Sequence, residues 1–325
     1  MELYHAEHIT LPLKLGSYEE LRYTHRVIDV DMLPRLVDSR FHPHLRLLWI
    51  EGYDLLQEEP VWVPHELVHT DYTLPLPPGC GCFLMTSTGL ASGNHLLEAV
   101  SHGICEVVER DATTLWTMRD EEAQHRTRVD LDTVDDPDCR ALLAQYERAN
   151  VNVAVWDTTT DVGMPSFLGS IIERTDDPLR LLYLSSGMGC HPARHIALLR
   201  ALTEAAQSRL TYIAGSRDDA MRSRYEQACD ADVLRQCRAQ MEIKGPMRHF
   251  QDIPTWEGET FQADVTWELD RLRAAGMTRC VVVNLMRREF RLPVVRVIIP
   301  GLEGPDHAAG YTPGRRARAL TESYT

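Results

Sequence analysis

The chain has 325 residues, 44% of them apolar and 25% charged, and a net charge of -14. That composition belongs to a globular protein with ample length for a core, and the negative charge argues against nucleic acid, whose phosphates need clustered cations. Met1 to Glu7 lacks the basic start of a signal peptide, no apolar run reaches membrane-span length, and the eight scattered cysteines suit the reduced thiols of a cytoplasmic protein.

In chain order, Met1 to Glu7 is a short helical piece without a cap, and residues 20–40 predict a short helix around Asp31 to Val37. Apolar runs at 45–50 and 60–63, separated by Glu51-Gly-Tyr-Asp54, have the pattern of a hairpin. His65-Glu-Leu-Val-His69 then matches the zinc-peptidase motif letter for letter. Zinc chemistry needs both histidines on one face of a stable helix, together with a third ligand. Pro64 before the motif and Thr70-Asp-Tyr-Thr-Leu-Pro75 after it leave too little room for that helix, so the expectation is a strand or loop. Cys80-Gly-Cys82 has no matching pair elsewhere, which also argues against a zinc site.

After an irregular connection from Leu74, the stretch Ser87-Thr-Gly-Leu-Ala-Ser-Gly-Asn94 is a glycine-bearing turn that opens an amphipathic helix from His95 to Asp111. At about 100° per residue, Glu98, Glu106 and Glu109 fall within an arc of about 80°, with His102 among them. Leu97, Val100, Ile104, Val107 and Val108 take other faces. The stripe ends in Arg110, and Asn94 lies one turn before Glu98, near the free N–H groups of the helix start. Such a face either offers oxygens to a hard cation such as Mg2+ or is a solvated acidic surface, and spacing does not separate the two.

A loop and a second helix are expected over 130–150, then a strand at Val151–Trp156 and paired strands at 166–172 and 181–184. Asp157 and Asp161 suit turn capping. Gly187-Met-Gly189 precedes a helix from about Arg194 to Tyr212, a spacing that can admit phosphate to a helix start but is weak alone. On that helix Arg200, Glu204 and Gln207 share a face, which an intrahelical Arg200–Glu204 pair would explain unaided. Asp218–Arg248 reads as charged and partly helical, 261–276 as a helix, and 280–284 and 294–299 as strands, the last ended by Pro300-Gly301.

Several of these segments resemble one family. Ser87 to Asn94, Glu98-Ala99 and Glu106-Val-Val-Glu109-Arg110-Asp111 match the signature of YcaO-domain proteins. So do Tyr4-His-Ala-Glu7, the Trp156–Pro165 run, Arg200 to Arg209, and the closing Val294-Val-Arg-Val-Ile-Ile-Pro-Gly-Leu-Glu303. The resemblance implies a single α/β domain over 1–325, with mixed sheets flanked by helices, its first segment missing and 304–325 a mobile tail. It implies Glu2, Glu98, Glu106 and Glu109 as Mg2+ ligands, Asn94, Arg110, Gln207 and Arg209 around ATP, and Glu204 as a further active-site group.

The activity so implied is ATP-dependent phosphorylation of a peptide or protein backbone amide oxygen, leading to a thioamide or an azoline. Tyr4-His-Ala-Glu7 and a tail without alternating prolines look more like members that work with a TfuA partner in thioamide formation; a homodimer is a further expected assembly. The family's glycine-lysine loop has no counterpart, the only lysines being Lys14 and Lys244. That departure keeps open a non-catalytic module that binds a peptide or a partner.

Overall fold

Helix α1 (Glu2–Glu7) buries His5 and Ala6. Strand β1 (Leu13–Ser17) turns into α2 (Tyr18–Leu21) through a capping box, in which the Ser17 hydroxyl and the Glu20 carboxylate each accept the other residue's N–H. The helix expected around Asp31–Val37 is only a three-residue 3-10 turn, Val30–Met32, because Pro34 drives Leu33 into extended backbone. Strands β2 (Arg46–Asp54) and β3 (Glu59–Pro64) form the expected hairpin, but Glu51 to Asp54 belong to β2. The turn falls instead at 55–58, where Asp54 accepts the N–H of Leu56 and Glu58 takes φ +55. Strand β4 (Leu90–Ser92) leads into the long helix α3 (Leu96–Thr117).

Next come α4 (Glu121–His125), β5 (Val129–Asp130), α5 (Pro137–Arg148), β6 (Val151–Asp157), β7 (Ser166–Glu173), β8 (Ser185–Cys190), α6 (Arg194–Ala214), α7 (Ala231–Met241) and β9 (Arg248–His249). The chain ends with α8 (Phe261–Ala274), β10 (Val281–Asn284), β11 (Val294–Ile298) and α9 (Arg315–Glu322). This computed structural model describes residues 1–73, 75–76, 79–174, 184–215, 231–242 and 245–322. The strand expected at 181–184 lies outside them except for Leu184, as do 216–230 and 243–244 of the charged stretch.

Two compact units result: residues 1–118 with 257–325, and residues 119–256. The first is built on a six-stranded sheet of order β1-β2-β10-β11-β4, with β3 on β2 and every pairing antiparallel. Trp49, Ile50, Val61, Phe83, Val281 and Val283 fill its core, and Trp49 Nε1 donates to Gly16 O at 2.8 Å. Its final segment, expected as a mobile tail, carries α9, with Ala317 fully buried and its N–H given to Glu303.

In the second unit β6, β7 and β8 form an antiparallel sheet that packs with α6 over Phe167, Ile171, Leu198 and Ala201. Here Gly187 and Gly189 lie in strand β8, not in a phosphate loop. A Cβ on Gly187 would sit 2.2 Å from Ala205 N, and one on Gly189 2.1 Å from Ala197 O. The pair exists so that α6 can lie against bare backbone. Asp157 accepts the N–H of Thr159 at 2.9 Å and pairs with Arg248 at 2.5 Å, so it closes the strand end as expected.

Between α3 and α8, Glu268 is fully buried; its Oε1 accepts the Ser101 hydroxyl at 2.5 Å and the Cys105 thiol at 3.5 Å. Burial raises its pKa well above the usual 4.5. The folded state therefore binds more protons here than the unfolded chain, so stability falls as pH rises above about 4.5 towards the folded pKa. Glu268→Gln, which keeps the shape and removes the charge, should flatten that fall: melting temperatures across pH 5 to 8 should decline less in the variant than in the parent chain.

Candidate active site

The start of α3 is fixed by a close approach. Gly89 adopts φ +79, and a Cβ there would sit 2.3 Å from Val297 O on β11. Val297 donates its N–H back to Gly89 O at 2.7 Å, and the Gly89 N–H reaches the Glu106 carboxylate at 3.0 Å. Glu106 is thereby held nearly three turns into α3, where burial raises its pKa and Arg110 opposes the shift. Arg110 Nη2 lies 3.7 Å from Glu106 and 3.6 Å from Glu109, distances of electrostatic pairing and not of hydrogen bonds.

Glu2 joins this group from α1. Its Oε1 accepts the backbone N–H of Ser92 at 2.9 Å and the Ser92 hydroxyl at 2.7 Å, and its charge adds to the upward push on Glu106. Facing Glu106 from β11 is Arg296, only 3% exposed. Its Nη2 donates to Thr86 O at 2.5 Å, while Nε and Nη1 are buried with no hydrogen-bond acceptor among the described residues. Burial lowers its pKa to about 10, so it remains a cation at neutral pH. Two guanidinium nitrogens buried without an acceptor cost free energy unless an anion meets them. Arg296 carries no role in the sequence reading, although a lone arginine in the apolar strand Val294–Ile299 was a visible signal.

Glu98 and Asn94 sit apart from this group. Glu98 caps α3: its Oε2 accepts the N–H of Asn94 at 2.7 Å and of His95 at 3.3 Å. Eight residues of helix put it about 12 Å along the axis from Glu106. Asn94 is exposed. Among the described residues no three His, Cys, Asp or Glu side chains gather closely enough to hold a metal ion unaided. Mg2+ asks for less, since it keeps waters and takes one or two carboxylates beside substrate phosphates.

In the second unit, Arg200 and Glu204 both turn to β8: Arg200 donates to Cys190 O at 3.0 Å, and Glu204 accepts the Met188 N–H at 3.3 Å. Gln207 is exposed, with its backbone carbonyl accepting from Thr211. Arg209 is paired with the buried Glu173.

An antiparallel sheet bearing a helix with acids on one face, and a buried arginine on the strand beside it, defines an α/β protein. The family model described as YcaO cyclodehydratase, ATP- and Mg2+-binding, matches residues 1–303, and the chain belongs to this family. An uncharacterized protein from the tfuA 3' region of Rhizobium leguminosarum bv. trifolii is 38% identical over 282 residues, covering 85% of this chain and 66% of the relative. An uncharacterized protein of Methanothermobacter thermautotrophicus is 34% identical, covering 79% of this chain and 66% of the relative. Among solved structures, the heterocyclase TruD superposes with a TM-score of 0.75 at 25% identity, over 97% of this chain and 45% of TruD. YcaO from Methanopyrus kandleri, bound with AMPPCP and Mg2+, shares the fold with a TM-score of 0.71 at 22% identity, over 97% of this chain and 77% of that one. This chain thus spans just under two thirds of the length of both sequence relatives.

The zinc-like motif has a different use. His65–Leu67 is a single 3-10 turn, and the buried Glu66 carboxylate accepts backbone N–H groups from Gly81, Cys82 and Phe83. Glu66 therefore staples the 80–83 loop and is not free to act as a base. His65 and His69 stack with centroids 4.6 Å apart, and burial lowers the pKa of His65 to about 4. Among the described residues no helix is long and apolar enough to cross a membrane. His65→Ala and His69→Ala should leave the metal content of the purified chain unchanged; elemental analysis showing one zinc per chain, lost in both variants, would overturn this assignment.

Proposed function

We propose that this chain carries the ATP- and Mg2+-dependent site of an enzyme that activates a peptide or protein backbone amide, with a thioamide as the product. The observation that carries the reading is Arg296, a buried cation that interacts electrostatically with Glu106 and has two nitrogens without an acceptor among the described residues. Family membership supports ATP-dependent amide activation, and the position of the Rhizobium relative beside tfuA supports a thioamide product and a TfuA-like partner. Bound Mg·ATP would supply a phosphoryl group, leaving ADP, that makes the amide oxygen a phosphate leaving group for displacement by a sulfide-level sulfur donor.

The residues divide that work between them. Glu106 and Glu109 hold the cation, with Glu2 as a further oxygen donor pinned by Ser92. Arg296 and Arg110 hold phosphate oxygens, in surroundings dry enough to strengthen each contact. Glu98 is assigned to the helix start, where it also fixes Asn94, the exposed amide that would orient the nucleotide. Within the second unit, Glu204 and Gln207 are proposed as polar groups for the nucleotide or substrate, whereas Arg209 is committed to Glu173.

Mg2+ binds the ionised carboxylate, and burial raises the pKa of Glu106. Cation affinity should therefore begin to fall, as pH is lowered, at a higher pH than an ordinary glutamate would give. Glu106→Gln and Glu109→Gln should each weaken Mg2+-dependent nucleotide binding about tenfold or more, and Arg296→Gln should weaken binding of the nucleotide. Glu122→Gln, an exposed change on α4, is the control. Calorimetric titration with Mg·ATP checks this: equal curves for all the variants would remove the assignment, and no binding by the parent chain would leave the peptide-binding module in its place.

A further inference from the structure

Two acids of the signature motifs take no part in the site proposed above, and both are spent on the C-terminal segment. Asp111 lies about 140° and 200° around the helix from Glu106 and Glu109, on the back of α3. It is fully buried, and its Oδ1 accepts the Glu303 N–H at 2.8 Å and Arg316 Nε at 3.0 Å. Glu303 in turn accepts the Tyr311 hydroxyl, the Gly314 N–H and the Ala317 N–H, at 2.8, 2.8 and 2.9 Å. Further along α3, the Thr114 hydroxyl donates to Gly304 O at 2.9 Å and the Thr117 hydroxyl to Asp306 at 2.6 Å.

We propose that Arg316 and Tyr311 are positioning residues: they lock the back of α3 to the end of β11, and so fix where Glu106 and Glu109 stand relative to Arg296. Glu303 follows β11 by five residues, so the segment that carries Arg296 and the helix that carries the acids are tied by one cluster. Gly314 shows how tightly the segment is seated, since a Cβ there would come within 2.6 Å of the Glu303 carboxylate. Without Arg316, the buried Asp111 loses its cationic partner and α3 loses its tie to α9, which frees the helix to shift. Such a movement carries the carboxylates on the opposite face with it. The effect on the cation rests on the roles proposed for Glu106 and Glu109, while the lock itself does not.

The test uses the 325-residue chain with Arg316→Gln, Arg316→Lys and Tyr311→Phe, and the exposed Arg140→Gln as control, at a temperature where each remains folded. The Mg2+ concentration that half-saturates nucleotide binding should rise about tenfold or more in Arg316→Gln, be largely restored in Arg316→Lys, and rise less in Tyr311→Phe. A parent-like midpoint in folded Arg316→Gln overturns the proposal; should that variant not fold, a parent-like midpoint in Tyr311→Phe does so. If the parent chain binds no Mg·nucleotide, the failure belongs to the roles of Glu106 and Glu109. Hydrogen exchange then decides on the lock: amides of 106–117 should exchange faster in Arg316→Gln or Tyr311→Phe than in Arg140→Gln, and equal rates overturn it.

Discussion

Everything in the first unit depends on how closely α3 approaches β11 at Val297. Gly89 and Gly103 leave room for that strand: a Cβ on the first would strike Val297 O at 2.3 Å, and one on the second Val297 Cγ2 at 2.5 Å. Because both positions lack a side chain, a turn, a helix and a strand meet on one residue. The Glu106 carboxylate can then take the Gly89 N–H and still face Arg296 from the neighbouring strand position. A larger residue at either glycine would move apart the opposite charges whose nearness makes the site.

The same packing gives the site its electrostatic character. Burial raises the cost of the charge on Glu106, and Glu2 adds to it. Arg110 and Arg296 offset part of it, the first by pairing along the helix and the second from across the sheet. Among the described residues two nitrogens of the Arg296 guanidinium lack acceptors, while Glu106 stays costly to ionise. A bound anion together with its cation answers both deficits at once, which neither would do alone.

Much of this was legible in the sequence where local pattern decides the outcome. The α3 periodicity marked a helix with acids on one stripe, and Pro64 with the proline-broken run after His69 ruled out a zinc helix. Tertiary choices were harder to read. Gly187-Met-Gly189 has the spacing of a phosphate loop, but its glycines answer to the approach of α6 to β8, a partner whose distance no local pattern encodes. Glu98 shares the stripe with Glu106 and Glu109, yet a glutamate three residues into a helix is also a cap, and the free N–H groups of Asn94 and His95 claimed it. Arg296 escaped because its meaning lies in what it lacks, and an absent acceptor leaves no mark in a string of residues.

The order of the strands has a consequence for synthesis. Residues 119–256 form a compact unit of their own between the two stretches that build the six-stranded sheet, and the central strands of that sheet, β10 and β11, come from the later stretch. As the chain leaves the ribosome, the acids of α3 emerge about 190 residues ahead of Arg296, at about 5 to 20 residues per second. For that interval β4 has no β11 to pair with, β2 has no β10, and α3 has no sheet on which to bury Ile104 and Val108. The inserted unit, whose three-stranded sheet pairs only sequence neighbours, can fold while the first unit waits. The long exposure of an unpaired apolar helix makes the nascent chain a natural client for chaperones.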